Sequence, residues 1–188
     1  MELKVIINPI AGAGPAKRLL SNLFYGCGYN FYRSENEFQE DDELIRDKLR
    51  QLLRDARAHL SSLEAAFRRE HRALTGGDYT FPAAPVVAIA RALLHAQRDL
   101  EAMEAAIGAP PAPHLHHWHR HHRQERSTLL RLVVLDGEVL LALLTLRDAI
   151  ARLENGAAAA ARMAGLLQAS DFDALWTRRE DLLSGGSG

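Results

Sequence analysis

The feature that most constrains the fold is a run of forty residues, 35–74, that contains neither glycine nor proline. Its apolar residues recur in steps of three and four, which is the period of one face of an α-helix. They are Ile45, Leu49, Leu52, Ala56, Leu60, Leu63, Phe67 and Leu74. A helix of this length spans about 60 Å and can bury so narrow a stripe only against other helices. The sequence therefore predicts a helical bundle.

The start of this helix is marked by a capping box, in which Ser34 is followed three residues later by Glu37. Acidic residues such as Asp42 follow near the positively polarised start of the helix, and arginines lie near its end. Glu64 and Arg68 are spaced as an i, i+4 ion pair. We interpret these charges as a solvated face of the helix.

A second helix is predicted to start near Pro85 and to end at Gly108, before a proline-rich connector. Its stripe comprises Val86, Ile89, Leu93, Leu100, Met103 and Ile107. After a long third helix, Asn155-Gly156 is expected to end that helix, and residues 157–168 form a short helix rich in small residues. Ser170 is expected to cap a last helix, whose inward side chains are Phe172, Leu175, Trp176 and Leu182.

The third helix has a competing interpretation, because Asp136-Gly137 between two apolar runs is also a good two-residue hairpin turn. However, a helical stripe continues through this dipeptide without a break, and Leu and Ala outnumber β-branched residues. The stripe comprises Leu132, Leu135, Val139, Leu143, Leu146, Ile150 and Leu153. We therefore predict one helix over residues 115–154 and expect it to be the most buried of the bundle.

These elements together predict an all-α protein, an elongated antiparallel bundle of about four helices, two of them long, with a short strand-like arm at the N-terminus. The expected organisation is an arm at residues 1–33, with a strand, a glycine loop and an aromatic segment. The bundle follows at 34–183 and a flexible tail or linker at 184–188. The single cysteine, Cys27, fits a reducing compartment, so we expect a cytoplasmic protein without a membrane span.

Two glycine-rich motifs indicate a different function. The sequence NPIAGAG at 8–14 follows an apolar run, and GGDYT occupies 76–80. The first motif, and the second in degenerate form with Tyr79 in place of a glycine, resemble those of the diacylglycerol- and sphingosine-kinase type of lipid kinase. The resemblance implies ATP with magnesium, bound near Asn8, Gly12, Gly14, Gly76, Gly77, Asp78 and Thr80. Alternatively, Gly76 and Gly77 simply end the preceding helix.

A histidine cluster indicates a second alternative. Six of the nine histidines lie within residues 114–122. If this segment is helical, His117 and His121 lie on one face with the i, i+4 spacing of metal-binding helices. No E-x-x-H pattern accompanies them, so a solvated helix start competes with a metal-binding bundle. Weak zinc or nickel binding is expected in either case.

An aromatic segment is the third candidate site. Phe24, Tyr25, Tyr29, Phe31 and Tyr32 lie within nine residues, with glycines among them. They either anchor a partner or pack over one end of the bundle.

The charge of the chain is nearly balanced, at −1, which gives no argument for a nucleic-acid partner. No catalytic set is visible. The leading hypothesis is a non-enzymatic interaction or scaffold protein without a resident cofactor, which uses its long helices and aromatic segment for self-association or partner binding. Contact with a membrane surface is a weaker alternative.

Overall fold

The computed structural model describes residues 35–74, 82–109 and 126–184. In chain order, these residues form helices α1 (Glu35–Leu74), α2 (Ala84–Gly108), α3 (Arg126–Ala151), α4 (Gly156–Ala169) and α5 (Phe172–Ser184). The described part of the chain contains no strand, so the prediction of an all-α bundle is confirmed. The long first helix spans the forty residues predicted for it.

The first two helices, α1 and α2, pack antiparallel. Arg46 of α1 donates a hydrogen bond from Nη1 to the carbonyl oxygen of Ile107, at 2.7 Å. Further along α1, Nη1 of Arg57 lies 3.1 Å from Glu101 Oε1. Later residues of α1 therefore lie beside earlier residues of α2, as expected for two helices joined by a short connection.

The first and third helices run in the same direction. Arg179 contacts Asp42 of α1 and Asp136 of α3 at one end of the bundle. Further along both helices, Nε2 of His59 donates a hydrogen bond to the carbonyl oxygen of Leu153, at 3.1 Å. The antiparallel neighbour of α1 is therefore α2, and the two helices predicted to be long lie parallel. The predicted extension of α3 over 115–125 lies outside the described residues.

The fourth rod of the bundle is made of α4 and α5, with a break between them. Asp171 adopts φ of 50°, a left-handed conformation that ends a helix and that aspartate tolerates better than most residues. The N–H of Ser170 donates to the carbonyl oxygens of Leu166 and Leu167. The prediction that Ser170 caps the last helix is therefore wrong, because Ser170 ends α4 instead.

Asn155 also has a different role from the predicted one. It was expected to end the third helix, but that helix ends at Ala151. The side-chain Oδ1 of Asn155 accepts a hydrogen bond from the N–H of Ala158 at 2.8 Å, so Asn155 is the N-cap of α4. The short connection between α3 and α4 thus turns the chain back along the bundle.

The helix predicted through Asp136-Gly137 is confirmed, since α3 continues without interruption past both residues. Both are buried, which a solvent-exposed hairpin turn would not be. Burial against neighbouring helices outweighs the cost of about 1 kcal/mol for a glycine inside a helix.

One hydrophobic core runs between the four rods. The predicted stripe of α1 is buried from Ile45 to Phe67, and the side chain of Leu74 lies outside the described set. The stripes of α2 and α3 are buried with few exceptions: Val86, Ile89 and Leu135 are half-buried. On α5, Leu183 is buried and Leu182, the predicted inward residue, is half-buried.

Gly156 allows the closest approach within this core. A Cβ atom on this glycine would lie 2.8 Å from Cβ of Phe67 and 3.2 Å from Cδ1 of Leu93. The first turn of α4 therefore rests directly on α1 and α2, and only a glycine fits there without movement of its neighbours.

Candidate functional site

The most concentrated polar chemistry in the described residues is a group of charged side chains at one end of the bundle. We call it the ion cluster. It consists of Asp42, Arg46, Asp136, Arg179 and Glu180. Charged residues are rarely buried unless they are paired, so this cluster needs a physical explanation.

Arg179 is the centre of the ion cluster. Its side chain is fully buried, and its Nε lies 2.6 Å from Oδ1 of Asp136, which is also fully buried. Its Nη2 contacts Oδ1 of Asp42, and its Nη1 lies 3.4 Å from Oε1 of Glu180. The guanidinium thus bridges carboxylates from α1, α3 and α5, a use for which its planar set of donors is suited.

Arg46 extends the ion cluster to α2. Its Nε lies 2.8 Å from Oδ2 of Asp42, and its Nη2 lies 3.0 Å from Oε1 of Glu180. Its Nη1 donates to the carbonyl oxygens of Ile107 at 2.7 Å and of Ala109 at 3.2 Å. These are carbonyls at the C-terminal end of α2, which have no partner within the helix and carry partial negative charge.

Trp176 lies beside both arginines. The guanidinium carbons of Arg46 and Arg179 lie 5.1 and 4.9 Å from its ring centroid, within the range of cation–π attraction. Its ring stacks on Phe172 at 5.9 Å, with 12° between the ring planes. Both rings belong to the hydrophobic core, so the ion cluster borders directly on that core.

The electrostatics of the ion cluster indicate a structural role. Burial alone would lower the pKa of Arg179, but the carboxylates of Asp136 and Asp42 raise it above its usual value. Arg179 therefore stays charged and cannot exchange protons with a substrate. Two guanidiniums face three carboxylates, so the charges nearly cancel. The cluster joins all four rods at one end.

Sequence reasoning missed the ion cluster. Asp42 was placed on a solvated face, but it is 7% exposed and faces Arg179. A signal was present in the apolar periodicity: Asp136 follows Leu132 by four residues, and Arg179 follows Leu175 by four. A charged residue in register with a buried stripe requires a partner of opposite charge. The predicted i, i+4 contact of Glu64 with Arg68 is present, but Glu64 is buried, so its assignment to a solvated face is also wrong.

A second candidate is a surface row on α3, which we call the α3 stripe. It comprises Arg131, Val134, Glu138, Leu141, Thr145 and Asp148, separated by three and four residues in turn. Val134 is 47% exposed and Leu141 is 48% exposed. None of the described helices packs over them. Both are apolar side chains whose burial would gain free energy.

The seam between α1 and α2 carries exposed ion pairs. Nε of Arg54 lies 3.2 Å from Oε1 of Glu104, and Arg57 contacts both Glu101 and Glu104. Exposed pairs of this kind contribute little stability, but they favour one register of α1 on α2. An open depression beside Gly108 is lined by charges of both signs, so it does not present an electrostatic potential of one sign to a ligand.

The site residues predicted from sequence lie outside the described parts of the chain. This holds for the glycine motifs (Asn8, Gly12, Gly14, Gly76, Gly77, Asp78, Thr80) and for His117 and His121. It also holds for the aromatic segment (Phe24, Tyr25, Tyr29, Phe31, Tyr32). These sites stay predictions. The helix before GGDYT ends at Leu74.

Within the described ranges, no group of His, Cys, Asp and Glu side chains is arranged to hold a metal ion. None of the helices described there combines the length and the apolar character that crossing a membrane requires. No family model matches the chain, and comparisons with curated proteins and with solved structures find no match. The resemblance to lipid kinases accordingly stays a prediction.

Proposed function

We propose that this chain is a non-enzymatic helical interaction protein, in which a rigid bundle presents the α3 stripe for self-association. The observation that carries the proposal is the half-exposure of Val134 and Leu141 on one outward row of α3. Large apolar side chains on a regular helical row are a recurrent means of helix association.

Rigidity supports the same proposal. A surface that binds without reorganising loses less free energy on association. The ion cluster fixes α3 through Asp136, two residues after Val134 and five before Leu141. The hydrogen bond from His59 to the carbonyl oxygen of Leu153 holds the chain two residues after the end of the same helix. The backbone that carries the α3 stripe is therefore held at a position within the stripe and again just after it.

The aromatic segment at residues 24–32 is proposed as a second contact surface, on the sequence argument alone. Aromatic side chains contribute a large share of binding energy when they enter a partner surface. The two surfaces can be separated by substitution, because they lie in different parts of the chain.

The test is sedimentation equilibrium of the purified full chain over a wide concentration range. We expect the weight-average mass to rise with concentration above that of the 20.9-kDa chain. A mass that stays at one chain at every concentration would contradict self-association. Replacing Phe24, Tyr25 and Phe31 together with serine then reports whether the aromatic segment contributes to the association.

A further inference from the structure

The last described helix, α5, is joined to α4 by residues 170 and 171 alone. The N–H of Asp171 donates to the carbonyl oxygen of Gln168 in α4, at 3.3 Å. Its own carbonyl oxygen accepts from the N–H of Leu175 in α5, at 3.1 Å. Rotation about the backbone of Asp171, which has the left-handed φ of 50°, therefore redirects α5 while the hydrogen bonds of both helices persist. Asp171 has the position and the bonding of a hinge.

The face of α5 that packs on the bundle has a charged residue in the middle of an apolar row. Arg179 lies one turn after Leu175 and one turn before Leu183, and all three side chains are buried. Its carboxylate partners Asp42 and Asp136 belong to α1 and α3. By contrast, the buried residues of α2 are all apolar. The docking of α5 thus combines apolar contacts with an ionic contact to other helices.

Release of α5 from the bundle separates this ionic contact into two halves that water can reach. The guanidinium of Arg179 leaves with α5, whereas Asp42 and Asp136 stay on α1 and α3. A buried ion pair gains about as much from attraction as it loses by desolvation, so its separation into water costs little. A partial displacement is costly, because it leaves charges buried without their partners. We therefore expect α5 to be either docked with a complete ion cluster or fully released.

We infer that α5 is a hinged helix that opens as a unit about Asp171 while α1 to α4 stay folded, and that it closes only on a complete ion cluster. The apolar side chains of α5 supply the free energy of docking, and an incomplete cluster opposes it. A helix of 13 residues is marginally stable in water, so α5 loses its own hydrogen bonds when it is released. The contact of Gly156 with Phe67 and Leu93 does not involve α5 and persists. This inference goes beyond the proposed function and applies to a single chain.

Native-state hydrogen exchange of the full chain, measured by mass spectrometry of its fragments, tests whether α5 opens separately. The amides of α5 should be at least about a hundredfold less protected than those at the centre of α1, because releasing one helix requires less free energy than unfolding the bundle. Protection of α5 equal to that of α1 would overturn the inference. The parent and all variants are compared at one protein concentration, and circular dichroism verifies that each variant is helical.

Gly156→Ala shows whether the opening of α5 and the unfolding of the bundle are distinct events. The substitution disturbs the contact of α4 with α1 and α2, which is intact whether α5 is docked or released. It should therefore accelerate exchange at the centre of α1 by about five- to a hundredfold and leave exchange in α5 unchanged. If both helices accelerate by the same factor, α5 opens only when the whole bundle unfolds, and the inference is overturned.

Asp136→Asn tests the role of the ion cluster, because it removes one charge and keeps the shape of the side chain. Exchange in α5 should accelerate by about tenfold or more, since closing then buries Arg179 with one carboxylate fewer. Exchange at the centre of α1 should accelerate by the same factor, because unfolding of the bundle also releases α5.

Glu138→Gln is the matched control for Asp136→Asn. Glu138 lies on the same helix outside the ion cluster, and its Oε2 is 3.8 Å from Nη2 of Arg178. This substitution should leave both exchange rates unchanged. If α5 exchanges at the parent's rate in Asp136→Asn, or equally fast in Asp136→Asn and Glu138→Gln, the ion cluster does not control closing and the inference is overturned.

Discussion

Nε of Arg179 on α5 lies 2.6 Å from Oδ1 of Asp136 on α3, and neither side chain is exposed to solvent. This contact joins two rods of the bundle inside its core. Because Asp42 and Arg46 extend it to α1 and α2, a single group of side chains determines how the four rods meet. Disruption of the group should therefore affect the whole bundle.

The first prediction is that Arg179→Met lowers the free energy of unfolding by about 3–5 kcal/mol, since it leaves carboxylates buried without their cation. Urea denaturation measures this loss. Combining it with Asp136→Leu should lose less than the single variant, because one of the stranded carboxylates is removed. A single variant within about 1 kcal/mol of the parent would show that the ion cluster is not important for stability.

The second prediction concerns pH. A group whose pKa is raised on folding contributes stability that is lost only when the pH rises through the folded-state pKa. The pKa of Arg179 is raised, so this contribution persists through the alkaline range. The difference in unfolding free energy between the parent and Arg179→Met should stay constant from about pH 8 to about pH 11. A difference that shrinks over this range would contradict the assignment.

The third prediction compares two glycines of α4. Gly156→Ala should lower the free energy of unfolding by about 1–3 kcal/mol, because the new Cβ would overlap Phe67. Gly165→Ala is the matched control. A Cβ at Gly165 meets nothing within 4 Å. This substitution should raise stability by about 0.5–1 kcal/mol, since alanine favours helix. Thermal melts of both variants check the pair, and equal effects would contradict the close approach at Gly156.

The fourth prediction concerns the N-cap of α4. Asn155→Ala should lower the free energy of unfolding by about 1 kcal/mol, because the N–H of Ala158 loses its acceptor. Asn155→Asp keeps an acceptor and should retain most of the stability. If alanine and aspartate behave alike in urea denaturation, the side chain is not acting as a cap.

Apolar periodicity predicted the helices because burial follows it closely. The stripe of α1 from Ile45 to Phe67 is buried as expected, and α3 is helical through Gly137. Periodicity alone could not assign the ends of the short helices. Asn155 and Ser170 suit either a helix start or a helix end, and only the path of the chain decides between them.

The ion cluster could not be derived from sequence, since its members are far apart in the chain. Asp42 and Arg179 are separated by 137 residues and meet only when α1 and α5 pack. The charged side chain of Asp136 within an apolar row indicated that it needs a partner of opposite charge, but no residue nearby in the sequence identified that partner. The α3 stripe also could not be recognised from sequence, although its residues are close together in the chain. Val134 and Leu141 belong to a strongly apolar segment, and only packing shows that they face outward.

The most direct test of the account is whether self-association depends on the α3 stripe. Val134→Glu combined with Leu141→Glu places charge at the two exposed apolar positions of this row. Leu94→Glu, at an exposed apolar position of α2, is the matched control. In sedimentation equilibrium of the full chain, the account predicts that the paired substitution lowers the weight-average mass toward that of one chain, whereas the control associates as the parent does. A paired variant that keeps its melting temperature and associates as tightly as the parent would contradict the account.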